Sequence, residues 1–329
     1  MKFTKDDFVA AVDAGIIDAR QADALEQFHK ERLQAPRARN EHFRLANNFG
    51  EIFICIGQIM VLTVLADSSL VWVIAGACLF WAMGEYFSFH KPRLAPAIVA
   101  SVGFAYLAAN AASAFIFPEN AFTVFDFKVE LIGIAALASL AAFLRFRIPF
   151  LLLPIAAALT LLSIMVARDV FPGLPYLTIF AVCGLLILGL AIWLDAQDPL
   201  RQSRVNSYAF WLFIIGSPLT IHPLFFSILK SQDLSNIALV IFLCAVAAST
   251  LGLILDRRSL VASSLIYFTV SIGYMNSQAS GSISGAVVPT TLIVGTGVIL
   301  LGVFWYPLRT QLMRLLPEHP LLEKLPPNT

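Results

Sequence analysis

The sequence predicts an all-α, polytopic helical membrane protein with about ten transmembrane helices. Of its 329 residues, 59% are hydrophobic and only 13% are charged, whereas soluble domains carry about 25% charged residues. Between residues 50 and 307, apolar runs of roughly 20 residues alternate with short polar breaks, and that length matches the hydrocarbon core of a bilayer. Backbone groups in lipid must be bonded within the segment, so each run is expected to be a helix.

The chain is predicted to have three parts. Residues 1–48 form a cytoplasmic helical hairpin with a basic lead-in, residues 49–307 a ten-span membrane domain, and residues 308–329 a cytoplasmic tail. The membrane domain follows from the apolar runs, each long enough to cross a bilayer once. The predicted spans are 50–66, 69–87, 94–117, 127–144, 149–167, 174–194, 205–229, 234–255, 259–275 and 285–306.

Lys and Arg are unevenly distributed between the two sides of this map. With the N-terminus in the cytoplasm, 19 of the 22 Lys and Arg residues lie in cytoplasmic segments, and only Lys128, Arg168 and Lys230 lie outside. Cytoplasmic loops of membrane proteins are enriched in Lys and Arg. The bias predicts a multi-pass protein of the inner (plasma) membrane with both termini in the cytoplasm.

The polar front end carries signals for a helical hairpin. Gly15 is a natural helix stop, and Asp18 followed by Gln21 resembles a capping box that starts a second helix. Pro36 ends that helix, and Arg residues then lead into the first span. Two roles remain open for the hairpin: packing on the cytoplasmic face of the membrane domain, or binding a partner protein.

The stretch AGIIDARQA at residues 14–22 leads, through a basic linker, into an apolar helix pair. This arrangement resembles the start of the bacterial membrane-protein family called domain of unknown function 2157, over residues 3–86. Trp72 lies a few residues later than the tryptophan that the family has just after its first span. The resemblance implies a short hairpin followed by many spans, and it implies no activity.

Polar side chains deep in a span are costly and are candidates for function. Gln58, Asn110, Ser217 and His222 are the candidate polar lining of a path through the bundle. The alternative for Gln58 and Asn110 is a hydrogen bond between helices. The alternative for His222 is a position at the outer interface, on a kinked packing helix.

The seventh span contains two prolines and a glycine within eight residues. Gly216, Pro218 and Pro223 are therefore the candidate site of a break or kink. Freed carbonyls beside a proline coordinate ions or polar solutes in the discontinuous helices of transporters.

Acidic residues end three of the spans that run toward the cytoplasm: Glu85, Asp195 and Asp256. Basic residues follow each of them in the cytoplasmic turn, which predicts interfacial ion pairs. The pattern is compatible with a tandem repeat of helix hairpins, or with two five-span halves of opposite orientation.

Motifs for an enzyme or a cofactor are lacking in the sequence. The five histidines show no spacing typical of metal ligands, and no phosphate-binding loop or nucleophile elbow is present. The four cysteines lie in separate apolar runs and are expected to act as small hydrophobic side chains. We therefore expect no metal, no cofactor and no catalysis, and the net charge of +1 gives no indication of a nucleic-acid partner.

Two functional hypotheses follow. The first is an integral membrane protein that transports or binds a small solute or a lipid along a polar path in the bundle. The second is a non-catalytic scaffold or regulatory subunit whose N-terminal hairpin binds a partner. Apart from that partner and the solute or lipid, the lipid bilayer is the only partner that the sequence implies.

Overall fold

The computed structural model describes residues 12, 14–24, 49–117, 126, 128–201, 203–229, 234–316 and 325–326. Across these residues the regular structure is helical and no strand occurs, so the predicted all-α class is confirmed. The chain divides into two compact units, Met1–Arg44 with Thr329, and Leu45–Asn328.

The described part of the first unit contains the predicted turn and helix start. Gly15 has a φ of 68°, a backbone conformation that glycine adopts without the strain of a side chain. The backbone N–H of Asp18 donates to Oε1 of Gln21 at 3.0 Å, and the N–H of Gln21 donates to Oδ1 of Asp18 at 2.7 Å. The capping box is therefore confirmed. The rest of the predicted hairpin and its basic lead-in, at 1–11, 13 and 25–48, lie outside the described residues.

The second unit contains eleven α-helices within its described residues. A π-helical turn, Tyr86–His90, extends α2, and a 3-10 turn, Pro149–Leu151, leads into α5. The helices are α1 Phe49–Ala66, α2 Leu70–Glu85, α3 Leu94–Ile116, α4 Val129–Phe146, α5 Leu152–Val170, α6 Tyr176–Asp195, α7 Arg204–Leu229, α8 Leu234–Ile254, α9 Arg258–Ser280, α10 Ile283–Val303 and α11 Trp305–Leu315.

Eight of the described helices, α1 to α7 and α10, are long and apolar enough to cross a membrane. This confirms a multi-pass helical membrane protein. The other two predicted spans coincide with α8, whose apolar stretch Ala238–Ile254 is shorter, and with α9, which carries many serines. Length and composition therefore support eight crossings, and the two further ones belong to the proposal made below.

The end of the last predicted span differs from the structure. Helix α10 stops at Val303, and Phe304 separates it from α11. Helix α11, Trp305–Leu315, crosses the predicted boundary between membrane domain and tail at residue 307. Trp305 and Arg309, on either side of that boundary, are both buried in the unit. The chain after α11 is described only at residues 325–326.

The helices of the second unit pack in two groups. Helices α1 to α4 form one group, whose buried residues include Phe80, Leu107 and Phe146. Helices α6 to α10 form the other, around Leu188, Phe213 and a core shared by α6 to α9. Helix α5 and the turn before it lie between the groups.

Helices α6 and α7 approach each other closely because glycines face the opposite backbone. A Cβ added to Gly184 would lie 2.5 Å from the carbonyl carbon of Leu219 and 2.6 Å from the nitrogen of Thr220. A Cβ at Gly216 would lie 3.0 Å from the nitrogen of Leu188. Small residues at such positions allow helices to pack backbone to backbone in lipid, and this contact fixes the position of α7 relative to α6.

Candidate functional site

A pocket of about 370 Å³ lies between α6, α7 and α9. Its floor is the second half of α7, one wall is the first two turns of α6, and Tyr267 of α9 forms the other wall. Tyr176 and Phe226 at its rim are 56% and 47% exposed, so the pocket opens at the surface of the helix bundle. Its lining residues are Tyr176, Leu177, Phe180, Pro218, Leu219, His222, Pro223, Phe226 and Tyr267.

His222 and Tyr267 form the polar part of this pocket. Nδ1 of His222 lies 2.8 Å from the phenolic oxygen of Tyr267, and that oxygen lies 3.4 Å from the backbone carbonyl oxygen of His222. Phe225 stacks on the ring of Tyr267, with the centroids 4.1 Å apart. The histidine and the tyrosine are thus held in place by each other and by a buried ring, and the second nitrogen of His222, Nε2, takes no part in their contact.

Helix α7 is continuous through both prolines, so the chain does not break at Gly216, Pro218 and Pro223. A kink at these residues stays a prediction. Pro223 has no N–H to donate to the carbonyl of Leu219 one turn earlier. That carbonyl faces Gly184, since a Cβ there would lie 2.7 Å from the oxygen. The carbonyl of Leu219 therefore lies against α6, and α7 stays continuous without the hydrogen bond that Pro223 cannot donate.

Ser217 lies directly below the pocket and is fully buried. Its hydroxyl donates to the carbonyl of Phe213 at 2.6 Å and lies 3.2 Å from the hydroxyl of Ser259 at the start of α9. Ser217 therefore links α7 to α9 beneath the pocket and does not line it.

The other two candidate lining residues lie in the first helix group. Gln58 on α1 is buried and donates from Nε2 to the sulfur of Met83 at 3.6 Å, while its Oε1 has no partner among the described residues. Oδ1 of Asn110 on α3 is also buried and unpaired within the described chain. Helices α1 and α3 do not pack substantially against α7 in the described part of the chain. The four predicted lining residues therefore do not line one common path.

A buried ion pair lies at the opposite end of α6, α7 and α9. Asp195 ends α6 and pairs with Arg257, the residue before α9, and the two are 5% and 1% exposed. Nη2 of Arg257 also donates to Oδ1 of Asn206 at 2.7 Å, and its guanidinium lies 4.9 Å from the ring centre of Phe213. We call these four residues the Arg257 cluster.

A second ion pair adjoins the Arg257 cluster. Arg201 donates to Oδ2 of Asp256 at 2.8 Å and lies 3.5 Å from Asp195. Oδ1 of Asp256 accepts from the indole N–H of Trp305 at 2.7 Å, which attaches α11 to the same end of the bundle. Arg201 and Asp256 have φ values of 51° and 53°, a left-handed conformation that is strained for such residues. Their contacts hold both turns in place.

The first helix group has an ion pair in an equivalent position. Glu85 ends α2 and pairs with Arg145 in the last turn of α4, 60 residues later. Asp195 ends α6 and pairs with Arg257 just after α8, 62 residues later. All three acidic residues form ion pairs. Asp195 and Asp256 both pair with Arg201 of the turn after α6, whereas Glu85 pairs with Arg145 at the end of α4 instead of the adjacent turn. The interfacial position of these pairs stays a prediction. The similar separations of 60 and 62 residues are what the predicted tandem arrangement of helix hairpins would give.

Helix α9 is more polar than the apolar span predicted at 259–275. Ser264 bonds Ser249 of α8 at 2.9 Å, and Asn276 donates to Thr290 of α10 at 3.0 Å. Ser271 is buried and its hydroxyl has no partner within the described chain. The signal was available, because serines recur every four residues at 259, 263 and 271 around Tyr267.

No group of three His, Cys, Asp or Glu residues suited to a metal ion occurs among the described residues. The four cysteines are free. Comparison of the chain with protein-family models, with curated proteins and with solved structures found no significant match. The resemblance to the family called domain of unknown function 2157 therefore stays a prediction, and the site is interpreted from its own chemistry.

Proposed function

We propose that the protein is a ten-span carrier of the inner membrane that binds a small lipid-soluble molecule in the pocket between α6, α7 and α9. The observation that carries the proposal is that these helices enclose an open pocket at one end and a buried ion pair at the other. Along α6, Phe180 and Asp195 are about 22 Å apart. A pocket open toward one end of these helices and an ion pair that closes the other end are compatible with one state of an alternating-access carrier.

The orientation in this proposal rests on the distribution of Lys and Arg. Ten crossings, with α8 and α9 included, place 19 of the 22 basic residues and both termini in the cytoplasm. The Arg257 cluster is then at the cytoplasmic end and the pocket in the outer half of the membrane. Helix α9 is the least apolar of the ten, but its Ser264 and Asn276 are bonded to neighbouring helices, which makes a crossing compatible with lipid.

The Arg257 cluster would be the cytoplasmic gate of the carrier. It joins the end of α6, the first turn of α7 and the start of α9, so a path from the pocket to the cytoplasm between these helices requires its separation. Removing one partner of a buried ion pair costs about 3–5 kcal/mol, because the other charge is left unpaired. A gate of this kind opens when binding in the pocket favours the separated arrangement of the helices.

The test uses Ser217, which lies between the pocket and the gate. In a variant whose four cysteines are replaced by alanine, Ser217→Cys is labelled with a membrane-impermeant maleimide in inverted vesicles, where the cytoplasmic side faces the reagent. We expect slow labelling with the cluster intact and faster labelling when Asp195→Asn or the milder Asn206→Ala is added. Glu85→Gln, at the equivalent pair of the other helix group, is the matched control and should leave the rate unchanged.

Two outcomes would contradict the gate. One is labelling that stays equally slow in Asp195→Asn and Asn206→Ala, with both proteins eluting as the wild type does on size-exclusion chromatography. The other is equal acceleration by Glu85→Gln, because a general loosening of the bundle would then explain the result.

A second proposal concerns the first unit as a docking site for a partner protein. It is supported by Ile16, which is 75% exposed in the turn beside Gly15. Deletion of residues 1–34 should then abolish the cellular phenotype while insertion into the membrane and the labelling of Ser217→Cys remain normal. A truncated protein with full cellular function would remove this role.

A further inference from the structure

We infer that the ligand of the pocket is a flat, uncharged ring compound that carries a carbonyl or hydroxyl oxygen. The inference rests on the proposed function, since it takes the pocket between α6, α7 and α9 to be the binding site. It goes further by naming the chemical class, which the shape and polarity of the lining select.

Aromatic rings dominate the lining. Five of the nine residues carry an aromatic ring: Tyr176, Phe180, His222, Phe226 and Tyr267. They come from all three helices, and Tyr176 and Phe180 meet edge to face with an interplanar angle of 82°. Ring faces and edges attract another aromatic ring in stacked or perpendicular arrangements, by about 0.5–1.5 kcal/mol for each pair beyond the burial of area. An acyl chain has no ring and gains none of this attraction, so the lining favours a flat ring.

The polar pair requires a hydrogen-bonding group on that ring. His222 binds Tyr267 through Nδ1, so Nε2 is the nitrogen left for a ligand. The neutral imidazole either donates from Nε2 or accepts there, according to which nitrogen carries its proton. A carbonyl oxygen suits the first form and a hydroxyl suits the second. A ring without oxygen would leave Nε2 unpaired in an apolar site, which is unfavourable.

The ligand is expected to be uncharged. None of the nine lining residues is a Lys, Arg, Asp or Glu, and a charge buried without a partner is strongly disfavoured. The charged residues of α6 and α9 lie at the ends of these helices far from the pocket. Asp195 is paired with Arg257, and Arg258 lies over the ring of Trp305.

The pocket volume and its opening agree with a fused ring system. A volume of about 370 Å³ is at the small end of ligand sites, which span about 300–1,000 Å³. The exposed rim at Tyr176 and Phe226 lies on the apolar surface of membrane-spanning helices. Any hydrocarbon tail on the ring can therefore extend into the bilayer, and the ligand can enter from the lipid.

Three probes distinguish the contribution of the ring to binding from the contribution of the oxygen. Dimethylnaphthoquinone has both, dimethylnaphthalene has the ring alone, and decanol has an oxygen on a chain. Each is mixed with the full-length protein in lipid nanodiscs, and saturable binding above that of nanodiscs without protein is measured by ultrafiltration. We expect the quinone to bind at least about tenfold more tightly than the naphthalene, which lacks the hydrogen bond. It should also bind at least about tenfold more tightly than decanol, which lacks the ring contact.

Variants then connect binding to the polar pair. His222→Phe keeps a ring but removes both nitrogens, and Tyr267→Phe removes the hydroxyl that orients the imidazole. Each should weaken quinone binding to the level of the hydrocarbon. Tyr274→Phe, two turns farther along α9 and outside the lining, is the matched control and should bind as the wild type does.

The outcomes distinguish this inference from the proposed function. Decanol binding as tightly as the quinone would overturn the ring class and leave a site for chain lipids. Quinone binding that is unchanged in His222→Phe and Tyr267→Phe would overturn the role of the polar pair. If no probe binds saturably, the ligand class is rejected, while the labelling of Ser217→Cys, which uses no ligand, decides the carrier separately.

Discussion

Asp195 and Arg257 form a buried ion pair although 62 residues separate them in the chain. A buried ion pair is stable only when further hydrogen bonds satisfy both charges. The guanidinium of Arg257 also donates to the amide oxygen of Asn206 and lies on the ring face of Phe213. Four structural elements, the ends of α6 and α8 and the starts of α7 and α9, meet at this point. Its consequences for stability can be compared directly with those of the exposed pair of the first helix group.

We expect Arg257→Ala to destabilise the protein by about 3–5 kcal/mol, because Asp195 would remain buried without a counter-ion. Arg145 is 52% exposed and pairs with Glu85, so Arg145→Ala should lower the free energy of unfolding by at most about 1 kcal/mol. The free energy of unfolding in mixed micelles, titrated with dodecyl sulfate, measures both. Equal losses in the two variants would show that burial does not distinguish the pairs.

The close contact of α6 and α7 predicts opposite effects at two glycines of one helix. Gly184→Ala would place a Cβ 2.5 Å from the backbone of Leu219, and we expect a loss of about 1–3 kcal/mol from overpacking. Gly189→Ala meets nothing within 4 Å and should be neutral or stabilising, because alanine favours a helix. Thermal unfolding of the two variants side by side gives the comparison. A Gly184→Ala protein as stable as Gly189→Ala would refute the contact.

The hydrogen bond from Trp305 to Asp256 predicts how firmly α11 is attached. Trp305→Phe keeps most of the ring but removes the N–H, and a bond to a charged acceptor contributes about 1.5–3 kcal/mol. We expect faster tryptic cleavage after Arg309, which is buried in the wild type, with cleavage after the exposed Arg314 as the internal reference. The control Phe304→Leu, at an exposed position beside it, should leave the ratio of the two cleavages unchanged.

Two serines of α9 should respond differently to alanine. Ser271 is 1% exposed and its hydroxyl has no partner within the described chain, so Ser271→Ala should be neutral or stabilising by up to about 1 kcal/mol. Ser264→Ala breaks the bond to Ser249, and hydrogen bonds between membrane helices contribute about 0.6 kcal/mol on average. Titration with dodecyl sulfate measures both. A loss in Ser271→Ala as large as in Ser264→Ala would indicate an additional partner for Ser271.

Part of the candidate site could be recognised from the sequence. The sequence marks His222, Pro218 and Pro223 as unusual residues of an apolar span, and all three line the pocket. It does not mark Tyr267, because a tyrosine in an apolar run is unremarkable until its partner is known. It marks Gln58 and Asn110 for the same reason as His222, yet they belong to the other helix group. A polar residue deep in an apolar span can be recognised by itself, but the sequence does not show which of these residues contact one another.

The sequence by itself determined that this protein is helical and membrane-embedded, and it located ten helices to within about five residues. It could do so because the match of an apolar run to a bilayer is a property of each segment alone. Only the tertiary structure decided that His222 meets Tyr267 and that Asp195 meets Arg257. Those contacts depend on how each helix is rotated and how closely it packs, which the glycines between α6 and α7 set through backbone contact.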